Sequence, residues 1–245
     1  MNNILIIGAG VIGLSCGYHL AQKGLKVTIV DKNEPGSGQS TRTGGGIRFL
    51  HGSKHNRILS SLSEQFWKKF HREFDTNPNY NEIGHLFLSA ENEKINQLIN
   101  GDGGKNFKIL NSNEINSIWP HLNALSFNQG LYCKNGGYLN QHQVIKGLVR
   151  GFQKIGGSLL VGVRAKTLIL SDGKVQGINS SIGPLTADIT INCSGADVGD
   201  LTKYDNIIKP FKSRHHELII VNSTQSIPKK TPWLIDLDKQ VHLRS

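Results

Sequence analysis

Residues 3–13 read Asn3-Ile4-Leu5-Ile6-Ile7-Gly8-Ala9-Gly10-Val11-Ile12-Gly13, and a helix-length run later the chain reads Val27-Thr28-Ile29-Val30-Asp31. An apolar run too short for a helix leads straight into G-x-G-x-x-G, the pattern of a buried strand turning into a helix. Gly8 permits the tight turn, Gly10 lets backbone approach a pyrophosphate, and Gly13 lets helix and strand pack closely. Phosphates then meet the helix N-terminus, where unpaired N–H groups and the dipole favour negative charge. Gly8, Gly10, Val11, Ile12 and Gly13 are therefore the expected phosphate contacts. The second apolar strand ends in Asp31, where an acid accepts hydrogen bonds from both hydroxyls of an adenosine ribose. Glycines alone would fit a turn in any α/β domain; strand, glycines, helix, strand and acid in register point to a dinucleotide site. An acid at 31 also disfavours the 2′-phosphate of NADP, which leaves NAD or FAD.

At 245 residues the chain has room for one large domain or two small ones. Its three cysteines, Cys16, Cys133 and Cys193, are odd in number and widely spaced, so neither a disulfide framework nor a zinc pattern is expected. That usage predicts a reducing, cytoplasmic setting, with Cys16 and Cys193 as packing residues. No apolar run approaches the ~20 residues of a membrane span, and the leading apolar segment is a strand, not a signal peptide. The formal charge is +10, spread over scattered lysines without an aromatic stripe, which argues against a nucleic-acid surface. Anionic substrates, an acidic partner or a membrane surface stay open.

Residues 34–48 are rich in glycine and hydroxyls and read as a long, function-bearing loop. From Asn56 to Phe74, Ile58, Leu59, Leu62, Phe66, Trp67 and Phe70 recur at helical spacing, predicting an amphipathic helix whose aromatic stripe faces a core. Composition shifts near Pro78; then come a strand at 84–88, a helix at 91–99, turns at 101–104 and a short helix at 113–118. After Gly136-Gly137 the α/β pattern resumes with a helix at 143–155, a strand at 158–163, a hairpin turning at 171–174 and a strand at 189–192. A further strand is expected at Glu217–Val221. This organisation predicts a discontinuous nucleotide domain, 1–78 and 138–203, with a second domain at 79–137 and 204–245.

Together these residues resemble the FAD-dependent amine and amino-acid oxidoreductases of the D-amino-acid oxidase and sarcosine oxidase type. The resemblance covers the whole chain. It rests on Gly13-x-x-x-Gly17, on Asp31-Lys32 followed by Pro35-Gly36-x-Gly38-x-Ser40, and on Gly45-Gly46-Ile47-Arg48, similar to the strip under the flavin ring. Gly137-Tyr138-Leu139 and Asn192-Cys193-Ser194-Gly195-Ala196 complete it. Gln39 to Trp67 looks most like proline-dehydrogenase catalytic subunits and sarcosine-oxidase-like members. The resemblance implies FAD as cofactor and an α/β fold: a Rossmann-like FAD-binding domain with an inserted α+β substrate domain on a mainly antiparallel sheet. It also adds Lys32, Ser40, Thr41, Gly45, Gly46, Ala165 and Gly195 to the cofactor contacts. Two departures stand out. Asp197 occupies the place of the usual tryptophan, and Val241–Ser245 reads as the middle of a strand where relatives continue. A C-terminally incomplete domain is expected, from a truncated product or a chain completed by another polypeptide.

Flavin chemistry asks the protein to aim a substrate Cα–H, keep the amine neutral, hold the carboxylate and exclude water. Arg48 is the candidate carboxylate clamp, because a guanidinium offers a charged bidentate fork. Structural pairing or a phosphate contact is its alternative, and Arg42 fits that alternative better. His51 is the candidate proton acceptor or flavin polariser, against a hydrogen-bonded structural histidine. Ser40 and Thr41 either contact phosphate or ribose or only shape their turn. Arg214-His215-His216-Glu217 makes a poor metal site, since neighbours on a strand face opposite ways, and no metal is expected. The expected reaction is hydride transfer from the Cα of proline, sarcosine, glycine or a D-amino acid to flavin N5, with oxygen or a partner protein as electron acceptor. The alternatives are a flavin-binding module or subunit without turnover alone, and a 2-hydroxy-acid or glycerol-phosphate dehydrogenase.

Overall fold

The computed structural model describes residues 3–100, 107–201, 214, 216–222, 224 and 226–245. In chain order its elements are β1 (Asn3–Ile7), α1 (Val11–Gln22), β2 (Lys26–Asp31), β3 (Gly46–Arg48), α2 (Lys54–Phe74), β4 (His85–Ser89), α3 (Asn92–Asn100), β5 (Phe107–Asn111) and α4 (Ser112–Ile118). These are followed by β6 (Gln129–Cys133), β7 (Gly136–Tyr138), α5 (Gln141–Lys154), β8 (Ser158–Val161), β9 (Ala165–Ser171), β10 (Lys174–Ser180), β11 (Gly183–Thr186), β12 (Ile189–Asn192), β13 (Trp233–Asp236) and β14 (Val241–Leu243). The chain forms two compact units: residues 1–43, 70–78 and 140–218, and residues 44–69, 79–139 and 219–245.

The first unit is built on a parallel sheet in the order β12-β1-β2-β8. Its central strand β1 is apolar throughout its buried length, Ile4 to Ile7, as a parallel strand covered on both faces must be. Helices α1 and α5 pack together over glycine: a Cβ on Gly17 would stand 2.7 Å from Ile29 and 3.2 Å from Phe152. Helix α5 starts on Asn140, whose side chain accepts from the Gln143 N–H and so caps one of the unpaired amides of the first turn. Strands β9, β10 and β11 form an antiparallel meander whose first turn puts Asp172 and Gly173 at positive φ, the conformation a two-residue hairpin demands. Leu5, Ile7, Val30, Val163, Ile178 and Ala187 make a continuous core from sheet and meander.

The second unit carries a five-stranded sheet, β14-β13-β4-β6-β5, antiparallel except for the β13–β4 pair. Strand β4 is buried along its whole length because both faces are covered. Phe87 joins Leu50, Ile95, Leu131 and Ile235 on one side; Leu86 and Leu88 join Leu110, Ile115 and Ala124 on the other. This is the period-2 alternation of a strand between two cores. A separate two-stranded ladder, β3–β7, pairs Gly46 with Tyr138 and Arg48 with Gly136. The fold is thus the expected α/β type, with a parallel sheet and mainly antiparallel ones.

Four expectations are corrected. Residues 46–48 form a strand inside what reads as loop, because β7 offers them a pairing edge. Residues 217–221 are irregular and exposed, Ile220 by 91%; strand propensity is realised only through a pairing partner and a packed face. Along α2 only Phe70 and Phe74 are core, whereas Ile58, Leu59 and Leu62 are exposed by 49%, 62% and 71%. Cys16 and Cys193 are half-buried rather than fully packed away. The turns expected at 101–104 lie outside the described residues. Among the described residues no helix is long and apolar enough to cross a membrane.

Candidate functional site

In the first unit the glycine loop is held by its own backbone. Gly8 has φ +107°, donates to the Val30 carbonyl at 2.8 Å, and leaves only 2.4 Å between an imagined Cβ and the Cys193 carbonyl oxygen. A Cβ on Gly13 would sit 1.9 Å from the Gly8 carbonyl oxygen, so only glycine lets α1 start this close to β1. The helix begins on Gly10, which has no side chain to cap it; the first intrahelical bond runs from Leu14 N–H to the Gly10 carbonyl at 2.9 Å. Ser40 supplies the missing cap from another loop, its Oγ accepting from Val11 N–H at 2.9 Å. The N–H groups of Ile12 and Gly13 have no intrahelical partner by position, and they face the anion-favouring end of the dipole.

Asp31 is bonded to this loop. Its Oδ2 accepts from Ala9 N–H at 2.7 Å and its Oδ1 from Asn33 N–H at 2.9 Å, so the carboxylate fixes the fingerprint while each oxygen keeps a further lone pair. Gly36 N–H donates to the Ala9 carbonyl at 2.9 Å, and Thr41 Oγ1 donates to the Gly36 carbonyl at 2.7 Å, which stitches residues 36–41 to the same place. Lys32 ion-pairs with Asp197. Asp197 therefore has a partner of its own, and it lies in the short turn opened by Gly195. Lys32, Asn33, Glu34, Ser37, Arg42, Val161 and Gly162 line an open cavity of about 570 Å³. Ala165 opens β9, half-buried. Burial pushes the Cys16 and Cys193 thiols up, which favours their protonated form.

In the second unit, residues 44–48 form a strip over a row of rings. Trp233 and His85 are partners in register on β13 and β4, and Phe87 follows two residues along, so all three project from one face of the sheet. Their rings stack: His85 to Trp233 at 5.7 Å and 18°, His85 to Phe87 at 6.3 Å and 28°. Gly44 and Gly46 rest on the Trp233 ring, where an added Cβ would come within 2.7 and 2.9 Å. Arg48 ends the strip, with its guanidinium 6.0 Å from the Phe87 ring centroid. It is half-buried, burial lowers its pKa, and it has no carboxylate partner among the described residues.

His51 braces this arginine. Its Nε2 lies 2.9 Å from the Arg48 carbonyl oxygen, to which it donates, leaving Nδ1 to accept from Arg48 Nη2 at 3.3 Å. Ser60 Oγ also lies 2.9 Å from Nε2, and Arg57 donates to the His51 carbonyl. Burial pushes the His51 pKa down, opposed by its bond to the Arg48 carbonyl and assisted by the Arg48 and Arg57 charges. His85 is held down to about 4, chiefly by burial, with Arg48, His242 and His51 adding like charge. Its Nδ1 and the Trp233 Nε1 are buried without a hydrogen-bond partner.

The structure thus groups Gly8, Gly10, Val11, Asp31 and Ser40 in one cradle and Arg48 with His51 in another. Sequence reasoning missed His85, Phe87 and Trp233. Alternation would have put His85 and Phe87 on one strand face, but nothing local says that Trp233, far along the chain, completes the row. Arg214, His216 and Glu217 are exposed and irregular, and His215 lies outside the described residues. No cluster of metal-ligating side chains occurs among the described residues.

A family model described as FAD dependent oxidoreductase matches residues 3–245. The mitochondrial dimethylglycine dehydrogenase of Homo sapiens is 20% identical over 249 residues, covering 98% of this chain and 29% of that protein. Among solved structures, L-proline dehydrogenase from P. horikoshii superposes with a TM-score of 0.81 at 22% identity, over 97% of this chain and 64% of that one. Glycine oxidase from Bacillus cereus gives a TM-score of 0.71 at 20% identity, over 83% and 58%. The chain therefore spans under a third of the human relative and about two-thirds of the proline dehydrogenase chain.

Proposed function

Since this chain belongs to the FAD-dependent oxidoreductase family, we propose that it binds FAD and takes part in oxidising a small amino acid or secondary amine that carries a carboxylate. The fingerprint suits the cofactor. Gly10 leaves room above the loop, with a Cβ there only 3.0 Å from Ser40 Oγ. The amides of Ile12 and Gly13 offer donors for phosphate, Asp31 has lone pairs to spare for a ribose, and an open cavity adjoins Lys32 and Arg42. Lys32, Thr41, Ala165 and Gly195 are proposed beside them, and Gly45 and Gly46 are proposed to lie along the flavin ring. When bound, FAD supplies the two-electron acceptor.

Arg48 carries the substrate reading: a half-buried guanidinium with no carboxylate among the described residues has its strongest available partner in a substrate carboxylate. His51, neutral and fastened to the Arg48 backbone, holds the guanidinium at a fixed angle and thereby sets where the substrate's amine and Cα–H point. Phe87, His85 and Trp233 keep water from beneath the strip. Proline, sarcosine, glycine and D-amino acids all meet this description. The test is the visible spectrum of the purified protein before and after anaerobic addition of these amino acids. Bound flavin that bleaches with one of them supports the proposal and identifies the substrate. Bound flavin that bleaches with none supports binding without turnover, and a colourless protein that takes up no added FAD refutes the cofactor assignment.

A further inference from the structure

We propose that Arg244 is a positioning residue that locks the Gly44–Arg48 strip in place. This rests on the reading above, in which that strip serves the flavin ring and the substrate carboxylate. Leu243 pairs with Leu234 across β13 and β14, which brings Arg244 beside Trp233. From there its side chain makes three contacts. Nη1 donates to the Gly44 carbonyl at 2.8 Å, and the guanidinium lies 4.1 Å from the Tyr138 ring centroid and 5.6 Å from that of Trp233. Tyr138 is the ladder partner of Gly46, and Trp233 is the ring on which Gly44 and Gly46 rest. One arginine therefore touches the entry to the strip, the strand that pairs with it, and the floor under it.

The strip needs such a lock. Gly44, Gly45 and Gly46 are consecutive, and glycine loses more conformational freedom on ordering than any other residue. Its far end is fixed by the His51–Arg48 bonds and by Phe87. At the near end, Gly45 accepts from Leu139 N–H at 3.0 Å, and Arg244 supplies the side-chain clamp. The clamp depends on guanidinium shape, because a planar group can donate to a carbonyl in its own plane while laying its face toward two rings, whereas an ammonium is a point charge with no face to stack. Arg244 is exposed and has no carboxylate partner among the described residues, so its contacts are to the strip and its supports and not to a competing ion pair.

The experiment compares the full chain with Arg244→Ala and Arg244→Lys, by FAD titration of the apoprotein, amide hydrogen exchange over residues 44–48, and thermal unfolding. Losing one charge-assisted bond and two cation–π contacts is expected to weaken FAD binding about tenfold and to speed strip exchange by a similar factor. Arg244→Lys should recover less than half of the loss, and the apoprotein Tm should fall by no more than about 3–6 °C, the equivalent of that tenfold change in a protein of this size; a larger fall would make Arg244 a bulk-stability residue and overturn the proposal. Parental FAD affinity in Arg244→Ala, unchanged strip exchange, or full recovery by Arg244→Lys would each overturn the proposal. If Arg244→Ala fails to fold, the lysine variant carries the test alone, and parental affinity in it overturns the proposal. A parent chain that takes up no FAD refutes the cofactor reading and this inference with it. A parent that binds FAD beside an equally competent Arg244→Ala refutes this inference alone.

Discussion

Replacing Asp31 by alanine separates the carboxylate's structural work from its expected ribose contact. The side chain accepts from two backbone amides, Ala9 N–H at 2.7 Å and Asn33 N–H at 2.9 Å, and alanine leaves both without that acceptor. A hydrogen bond to a charged group contributes ~1.5–3 kcal/mol; because Asp31 is half-buried and water can partly replace it, about 1–1.5 kcal/mol per bond is the better figure. The expected loss is about 2–3 kcal/mol, which in a protein of this size lowers Tm by roughly 5–10 °C. Ala9 belongs to the fingerprint, so the same loosening is expected to reach the cofactor and weaken FAD by about 30-fold or more. Asp31→Asn keeps one acceptor and should lose about half of both effects. The assays are thermal unfolding of the apoprotein and FAD titration followed by flavin fluorescence. Asp31→Ala with a Tm within about 1 °C of the parent and undiminished flavin affinity would refute the reasoning.

Arg48→Ala should raise KM for a carboxylate-bearing amine by at least about tenfold while changing KM for the decarboxylated analogue far less; steady-state kinetics on such a pair checks this, and equal effects would remove Arg48 from carboxylate binding. His85 makes stability depend on pH. Folded, it resists protonation down to about 4 because it is buried; unfolded, it takes a proton near its ordinary 6.5. Its contribution is therefore fully present above about pH 6.5 and is lost as pH falls toward 4, a loss of roughly 3 kcal/mol. Denaturant melts of the parent and of His85→Phe between pH 4 and 7.5 should show a flatter pH dependence in the variant, and parallel curves would contradict the assignment.

Much of the first unit is legible because its logic is local. Five residues of strand, a glycine loop, a helix and a second strand lie within thirty residues, and Gly13 is dictated by the Gly8 carbonyl a few residues away, although the Cys193 carbonyl behind Gly8 and the Ser40 hydroxyl beside Gly10 come from elsewhere in the chain. Asp31 was legible as important, but its bonds to Ala9 and Asn33 were not, since motif spacing does not reveal which partner an acid prefers. The second unit hides its logic. Strand β4 is legible as a short apolar run at 84–88, but it is buried on both faces, so it lacks the polar alternation that would tell one face from the other. The floor of His85, Phe87 and Trp233 is assembled from strands paired in space and distant in sequence, and Arg244 gains its meaning only from Gly44. At 217–221 the reverse holds: five residues with strong strand propensity find no ladder, because propensity reports fitness for a pleated surface and not its presence.

The central strand of the parallel sheet also sets an order of events during synthesis. One edge of β1 is covered at once by β2, but the other waits for β12, where Ile4 pairs with Ile189. At ~5–20 residues per second, vectorial synthesis leaves that edge without its neighbour for roughly 10–30 s. Throughout the interval Ile4, Leu5, Ile6 and Ile7 present an unsatisfied apolar edge, the type of surface on which nascent chains aggregate or recruit holdase chaperones. The Cys193 carbonyl that walls Gly8 arrives with the end of β12, so the phosphate loop acquires its final shape only as that distal strand docks. Slowing the ribosome before β12 has emerged should therefore deepen chaperone dependence, and slowing it once β12 has docked should not.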